Sequence, residues 1–177
     1  MSSTLIVLAV ICAANPFRVA ACAPASVDTR RQAVVVATAS TLLAVGLMAL
    51  LSDPILDLLN VSGSSSRIAA GVAVLIVGIR DLFVQPPSPE PALTGRLAGI
   101  MPMAFPTLFT PALVILAISA ASARGVVAAF GIIGAVILLV GLIVAANVRG
   151  TYWRAAAVGS AGVVIGTLLT LNGVTAI

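Results

Sequence analysis

Six apolar stretches, each near twenty residues and low in charge, follow one another at residues 4–23, 33–51, 67–84, 97–121, 125–146 and 155–176. A helix needs roughly 20 apolar residues to cross a bilayer. None of the stretches alternates polar and apolar residues as a membrane strand would. In lipid every backbone N–H and C=O must find a partner within the protein, which leaves helices. The expected fold is an all-α integral membrane protein, a single transmembrane domain of six transmembrane helices. Composition agrees: 61% of the 177 residues are hydrophobic and 8% are charged, against about a quarter charged in soluble domains.

The same composition excludes several function classes. The chain has no His, and all nine of its cations are Arg. This argues against a His-based metal site and against His or Lys acid–base chemistry. No paired carboxylates, Ser-His-Asp set, phosphate-cradling glycine loop or ATP motif stands out. An enzyme is therefore not expected, and neither is a cofactor or metal. Cys12 and Cys22 lie about 15 Å apart along one helix, too far to bridge, and read as small packing residues. The first 23 residues lack the cationic start of a signal peptide, and Asn15-Pro16-Phe17-Arg18 interrupts their apolar run.

Arginine sets the orientation. Arg30, Arg31, Arg80, Arg96, Arg149 and Arg154 fall in one set of loops, while Arg67 and Arg124 fall in the other beside Asp53 and Asp57. The richer set belongs in the cytoplasm, which places both termini outside. In so apolar a chain this basic excess reads as topology, not as a nucleic-acid footprint. Tyr152 and Trp153 beside Arg154 read as an interfacial anchor. Residues 85–95 hold four prolines and cannot be helical throughout, so they read as a cytoplasmic linker between half one (1–84) and half two (96–177).

The halves look related. Residues 61–70 laid on 148–157 agree at five of ten positions, and Ala14-Asn15-Pro16 falls over Ala104-Phe105-Pro106. Each half has three spans, an odd number, so the second copy must enter the membrane upside down. The reading is two inverted three-helix repeats, as in many transporters.

Candidate binding residues cluster where helices 1 and 4 are interrupted. Proline removes an N–H and obstructs the carbonyl one turn back, so the freed groups need side chains, water or a ligand. Asn15 and Pro16 mark the first interruption. Pro102 and Pro106, with Thr107 and Thr110 between Pro106 and Pro111, mark the second. Paired interruptions of this kind build substrate sites near the midplane; a plain kink is the competing reading. Arg18 is the most singular residue, because a charge in hydrocarbon costs at least about 2.5–3.5 kcal/mol. It either snorkels to the headgroups or serves as counter-ion to an anionic ligand. No carboxylate is expected at its depth, since Asp81 follows Arg80 at a span end and reads as a capped terminus. Asp53-Pro54 offers the start of a short outer helix with Asp53 as N-cap, but an ordinary loop and helix cap is the favoured reading.

At these motifs the chain resembles the MarC family of six-span bacterial inner-membrane proteins, within the LysE-like transporter superfamily. The resemblance rests on Asn15-Pro16 and on Ser66-Arg67-Ile68-Ala69-Ala70-Gly71, similar to F-R-I-A-G-G. It rests also on the run from Met101 to Ala112, similar to V-P-L-A-I-P-L-L-A-G-P-G. Thr110 and Ala112 replace glycines of that pattern, and Arg18 stands where the family more often has a small or polar residue. The resemblance implies an integral membrane transporter, commonly labelled for neutral amino acids.

The expected function is transport of a small polar or amphipathic solute, such as an amino acid, by alternating access between inverted repeats in a bacterial cytoplasmic membrane. Two alternatives stand beside it: a carrier of an anionic lipid such as a polyprenyl phosphate, and a non-transporting membrane subunit of a larger complex. The expected partners are the lipid bilayer and a small-molecule or lipid substrate, with no nucleic acid, and homo-oligomer formation left open.

Overall fold

The computed structural model describes residues 1–85, 99–146 and 151–176, the side chain of Pro102 excepted. The four prolines of the linker, together with Arg96 and Arg149, lie outside the described residues. Among the described residues the chain is helical without strands: α1 Ser3–Ala14, α2 Pro16–Ala21, α3 Val27–Leu50, α4 Ser52–Leu58, α5 Gly63–Phe83, α6 Gly99–Leu108, α7 Pro111–Arg124, α8 Val126–Ala145 and α9 Tyr152–Val174. Several starts are written in the sequence. Ser2, Ser26, Ser62 and Thr110 each accept a hydrogen bond from a backbone N–H three residues on, satisfying a donor the helix itself leaves open.

Four helical units are long and apolar enough to cross a membrane: Ser3–Ala21, Val27–Leu50, Val126–Ala145 and Tyr152–Val174. A fifth is obtained if α6 and α7, which meet at 64°, are counted as one broken span. The chain is thus a multi-helix protein of membrane-spanning character, and among the described residues four or five of the six expected spans meet the test of length and composition. The difference lies in α5. It is apolar from Ile68 to Ile79, but serines fill its first turn and Arg67, Arg80 and Asp81 stand near its ends. Large apolar side chains point outward all round, among them Leu43 (77% exposed) and Val127 (87% exposed). A lipid environment accepts such a surface and water does not.

Two seams hold the helices together, and both are antiparallel. In α5 and α9, Gly71 lies on Gly166 and Thr170, and Gly78 lies on Gly159 and Val163. A Cβ on Gly78 would sit 2.7 Å from the Gly159 carbonyl oxygen. Backbone therefore packs on backbone, the arrangement that small residues permit in lipid. In α3 and α8, Gly46 meets Phe130, Leu42 meets Gly134, and Thr38 meets Gly141. The broken units cross between these pairs: α1 packs on α8 and α9, and α7 packs on α3 and α5. The core is made where they meet, by Ile6, Leu113, Leu116, Ile133 and Ile137, all fully buried.

The stretch at Asp53 is a short helix rather than the favoured loop, and Asp53 is not its cap. α4 begins at Ser52, and Leu51, without a side-chain bond, holds the cap position expected of Asp53. The reason is continuity. Leu51 N–H donates to Leu47 and Ile55 N–H donates to Leu51, so α3 runs almost directly into α4 and no side-chain cap is needed.

Candidate functional site

The first interruption is built by two adjacent residues. Pro16 has no N–H, so the carbonyl of Cys12 one turn back loses its helical donor. Asn15 adopts the left-handed region at φ 32°, ψ 88°, where Asn is among the few tolerated side chains. Its own carbonyl restarts the helix by accepting from Arg18 N–H (3.0 Å) and Val19 N–H (3.2 Å). Its side chain crosses to two other helices. The Asn15 amide donates to Asp81 Oδ2 on α5 (2.7 Å) and to the Ala155 carbonyl on α9 (3.0 Å). With both amide hydrogens spent, Asn15 Oδ1 is left buried without a partner among the described residues.

Arg18 lies one short turn further on and does not snorkel; it is 6% exposed. Its guanidinium donates to the Val84 carbonyl at 2.9 Å and pairs with Asp81 Oδ1 at 3.2 Å. Arg80 brings a second guanidinium to the same oxygen at 3.0 and 3.1 Å. Asp81 is fully buried, so one carboxylate takes two cations and one amide. The expectation that no acid neutralises Arg18 is therefore overturned. Asp81 is not merely a capped terminus but the hub joining α2, α5 and the break. Such charges belong together, because separating either from its partner inside the protein costs several kcal/mol, about 3–5. Nearby, the Tyr152 hydroxyl donates to the Leu82 carbonyl at 2.6 Å, and the Arg154 guanidinium lies 5.9 Å from the centre of the Phe17 ring.

The second interruption is made differently. Met101 (φ −128°, ψ 131°) and Phe105 (φ −124°, ψ 128°) are extended inside α6. Each precedes a proline, whose ring pushes the preceding residue out of the helical region. Thr110 then caps α7, its hydroxyl accepting from Leu113 N–H at 3.2 Å. That hydroxyl also donates to the Ala13 carbonyl, at 3.4 Å. Thr107 places its Oγ1 3.7 Å from Cys22 Sγ, which itself bonds the Arg18 carbonyl at 3.3 Å.

Asn15, Pro16, Arg18, Thr107 and Thr110 are thus all buried where α1, α2, α6 and α7 meet. Pro106 is exposed on the outer side of α6, and Pro102 lies in the same segment with its side chain outside the described residues. Sequence reasoning missed Asp81, Arg80 and Ala155. One signal could have found the first: an Arg inside an apolar run requires a carboxylate, and Asp81 ends a span on the side that Arg18 approaches. Cys12 and Cys22 are both buried and form no disulfide. Among the described residues no three His, Cys, Asp or Glu gather as metal ligands. The chemistry on offer is two guanidinia sharing one carboxylate, an unspent amide oxygen and hydroxyls beside a helix break. No protein-family model, curated protein or solved structure matches the chain.

Proposed function

We propose that the chain is a transporter of a small polar or amphipathic solute, such as an amino acid, resident in a bacterial cytoplasmic membrane. The observation that carries this reading is the buried Arg18–Asp81 pair at the broken first span. An α-amino acid carries the same two charges. Its carboxylate would take Arg18 and its ammonium Asp81, and the acceptor oxygen of Asn15 lies at hand.

The inverted-repeat architecture belongs to the same proposal. The second spans of the two halves, α3 and α8, run antiparallel, as do the third spans, α5 and α9. Each broken first span packs on the second and third spans of the other half. A two-fold axis in the membrane plane would produce this pattern, with α5 as the sixth span. At about 1.5 Å per residue its 21 residues reach roughly 31 Å, close to the hydrocarbon thickness. Both termini then lie outside, and the MarC-like motifs join this reading as resemblance.

The test is binding and vesicle uptake of neutral amino acids by wild type and by Arg18→Ala. Asp81 keeps Arg80 and Asn15 in that variant, so the fold should persist. Binding should weaken by about 30-fold or more, as expected when one partner of a desolvated charged contact is removed. Arg18→Lys should recover only part, since a point charge replaces the planar fork. Equal affinity in all three proteins, at matched thermal stability, would sink the transporter site and favour a non-transporting subunit.

A further inference from the structure

A groove of about 660 Å³ runs along the outer face between α3 and α8, far from the broken spans in sequence. On α3 its wall is one helical stripe that begins at Arg31, passes Val35 and Ala39, and ends at Leu42; Gly141 and Leu142 face it from α8. Gly141 supplies no side chain and Ala39 only a methyl, while Val35 (66% exposed) and Leu142 (68% exposed) stand proud as flanks. The hollow is therefore a consequence of residue size.

Its charge is confined to one end. Arg31 is exposed and forms no ion pair among the described residues. Its neighbour Arg30 turns the other way and spends its guanidinium on the carbonyls of Pro24 (3.0 Å) and Ala25 (2.7 Å). Arg31 thus stands at the head of an apolar channel. From Arg31 to Leu42 the stripe measures about 16 Å at 1.5 Å per residue. One leaflet of a bilayer is roughly 15 Å of hydrocarbon. A cation at headgroup level above one leaflet's depth of apolar wall matches a lipid in both charge and length.

We propose that this groove holds one acyl chain of an anionic phospholipid, with its phosphate on the Arg31 guanidinium. Arg is suited to the task because its fork meets two phosphate oxygens at once. A second copy of the chain fits less well: a symmetric contact would set a concave face against itself and leave a void. The site does not depend on transport.

The experiment is native mass spectrometry of the detergent-purified protein, titrated with phosphatidylglycerol and, separately, with phosphatidylcholine. Wild type should retain phosphatidylglycerol about fivefold better, the preference expected from one arginine near an anionic headgroup. Arg31→Gln should erase the preference, and Arg31→Lys should keep most of it. Ala39→Phe, which fills the hollow, should lose both lipids. Equal retention of the two lipids by wild type would overturn the proposal, as would unchanged retention in Arg31→Gln and Ala39→Phe at unchanged helical content. A dimer free of lipid would overturn it too, by assigning the face to a second copy.

Discussion

The two interrupted spans solve the same backbone problem with different materials. At Asn15–Pro16 the break is met by its own amide, a guanidinium of α2, a carboxylate and a guanidinium of α5 and a carbonyl of α9, at distances between 2.7 and 3.2 Å. At the second break two residues are simply driven extended by the prolines that follow them. Only hydroxyls reach across there, at 3.4 and 3.7 Å. Charge-assisted contacts are roughly twice as strong as neutral ones, and the long hydroxyl contacts are weak. The comparison teaches that the first break is clamped and the second is only guided. Rigidity therefore concentrates at the first break, and the easier place to bend is the junction of α6 and α7.

Substitutions at three positions break or sharpen that contrast, read by thermal or denaturant unfolding in detergent. The largest effect belongs to Asp81→Asn. Arg18 would then be buried without a counter-charge, and stability should fall by about 3–5 kcal/mol. A loss under 1 kcal/mol would mean that water already solvates the cluster. Asn15→Ala comes next. It removes two side-chain hydrogen bonds and leaves a residue poorly suited to positive φ, so a loss of about 2–3 kcal/mol is expected. Asn15→Gly should recover only the backbone part of it. The smallest is Thr110→Ala, which deletes a helix cap and the weak contact to Ala13, for about 1 kcal/mol. If Thr110→Ala proved as costly as Asp81→Asn, the clamped-and-guided contrast would be wrong.

Much of the architecture is legible from local pattern. Runs of apolar residues, serine and threonine caps, and the pairs Asn15-Pro16 and Thr110-Pro111 mark helices and breaks, because each acts over a few residues. The hub was not legible, for a specific reason. Arg80 stands beside Asp81 in the chain and offers a complete local explanation for it. The partners that matter, Asn15 and Arg18, approach from more than sixty residues away. Pro106 failed in the opposite direction. Its position in the run was plain, but the extended residue before it turns the helix, and its outward face could not be read from spacing. The antiparallel register that pairs Gly78 with Gly159 was not legible either, because it needs both helices in place.

That α5–α9 seam carries one further consequence. Interlocked side chains resist rotation like meshed teeth, and they must change rotamer when helices turn. Around Gly78 and Gly166, where backbone touches backbone, the seam has no teeth and no rotamers to change; the side chains of Thr170 and Ile68 enter it towards one end. Ångström for ångström it is an axle: stiff against separation, because nothing can be wedged into it, and smooth about its own length. At Gly78 the nearest atoms across it are all backbone, so an alanine there would find no side chain to move aside and would force the two helices apart.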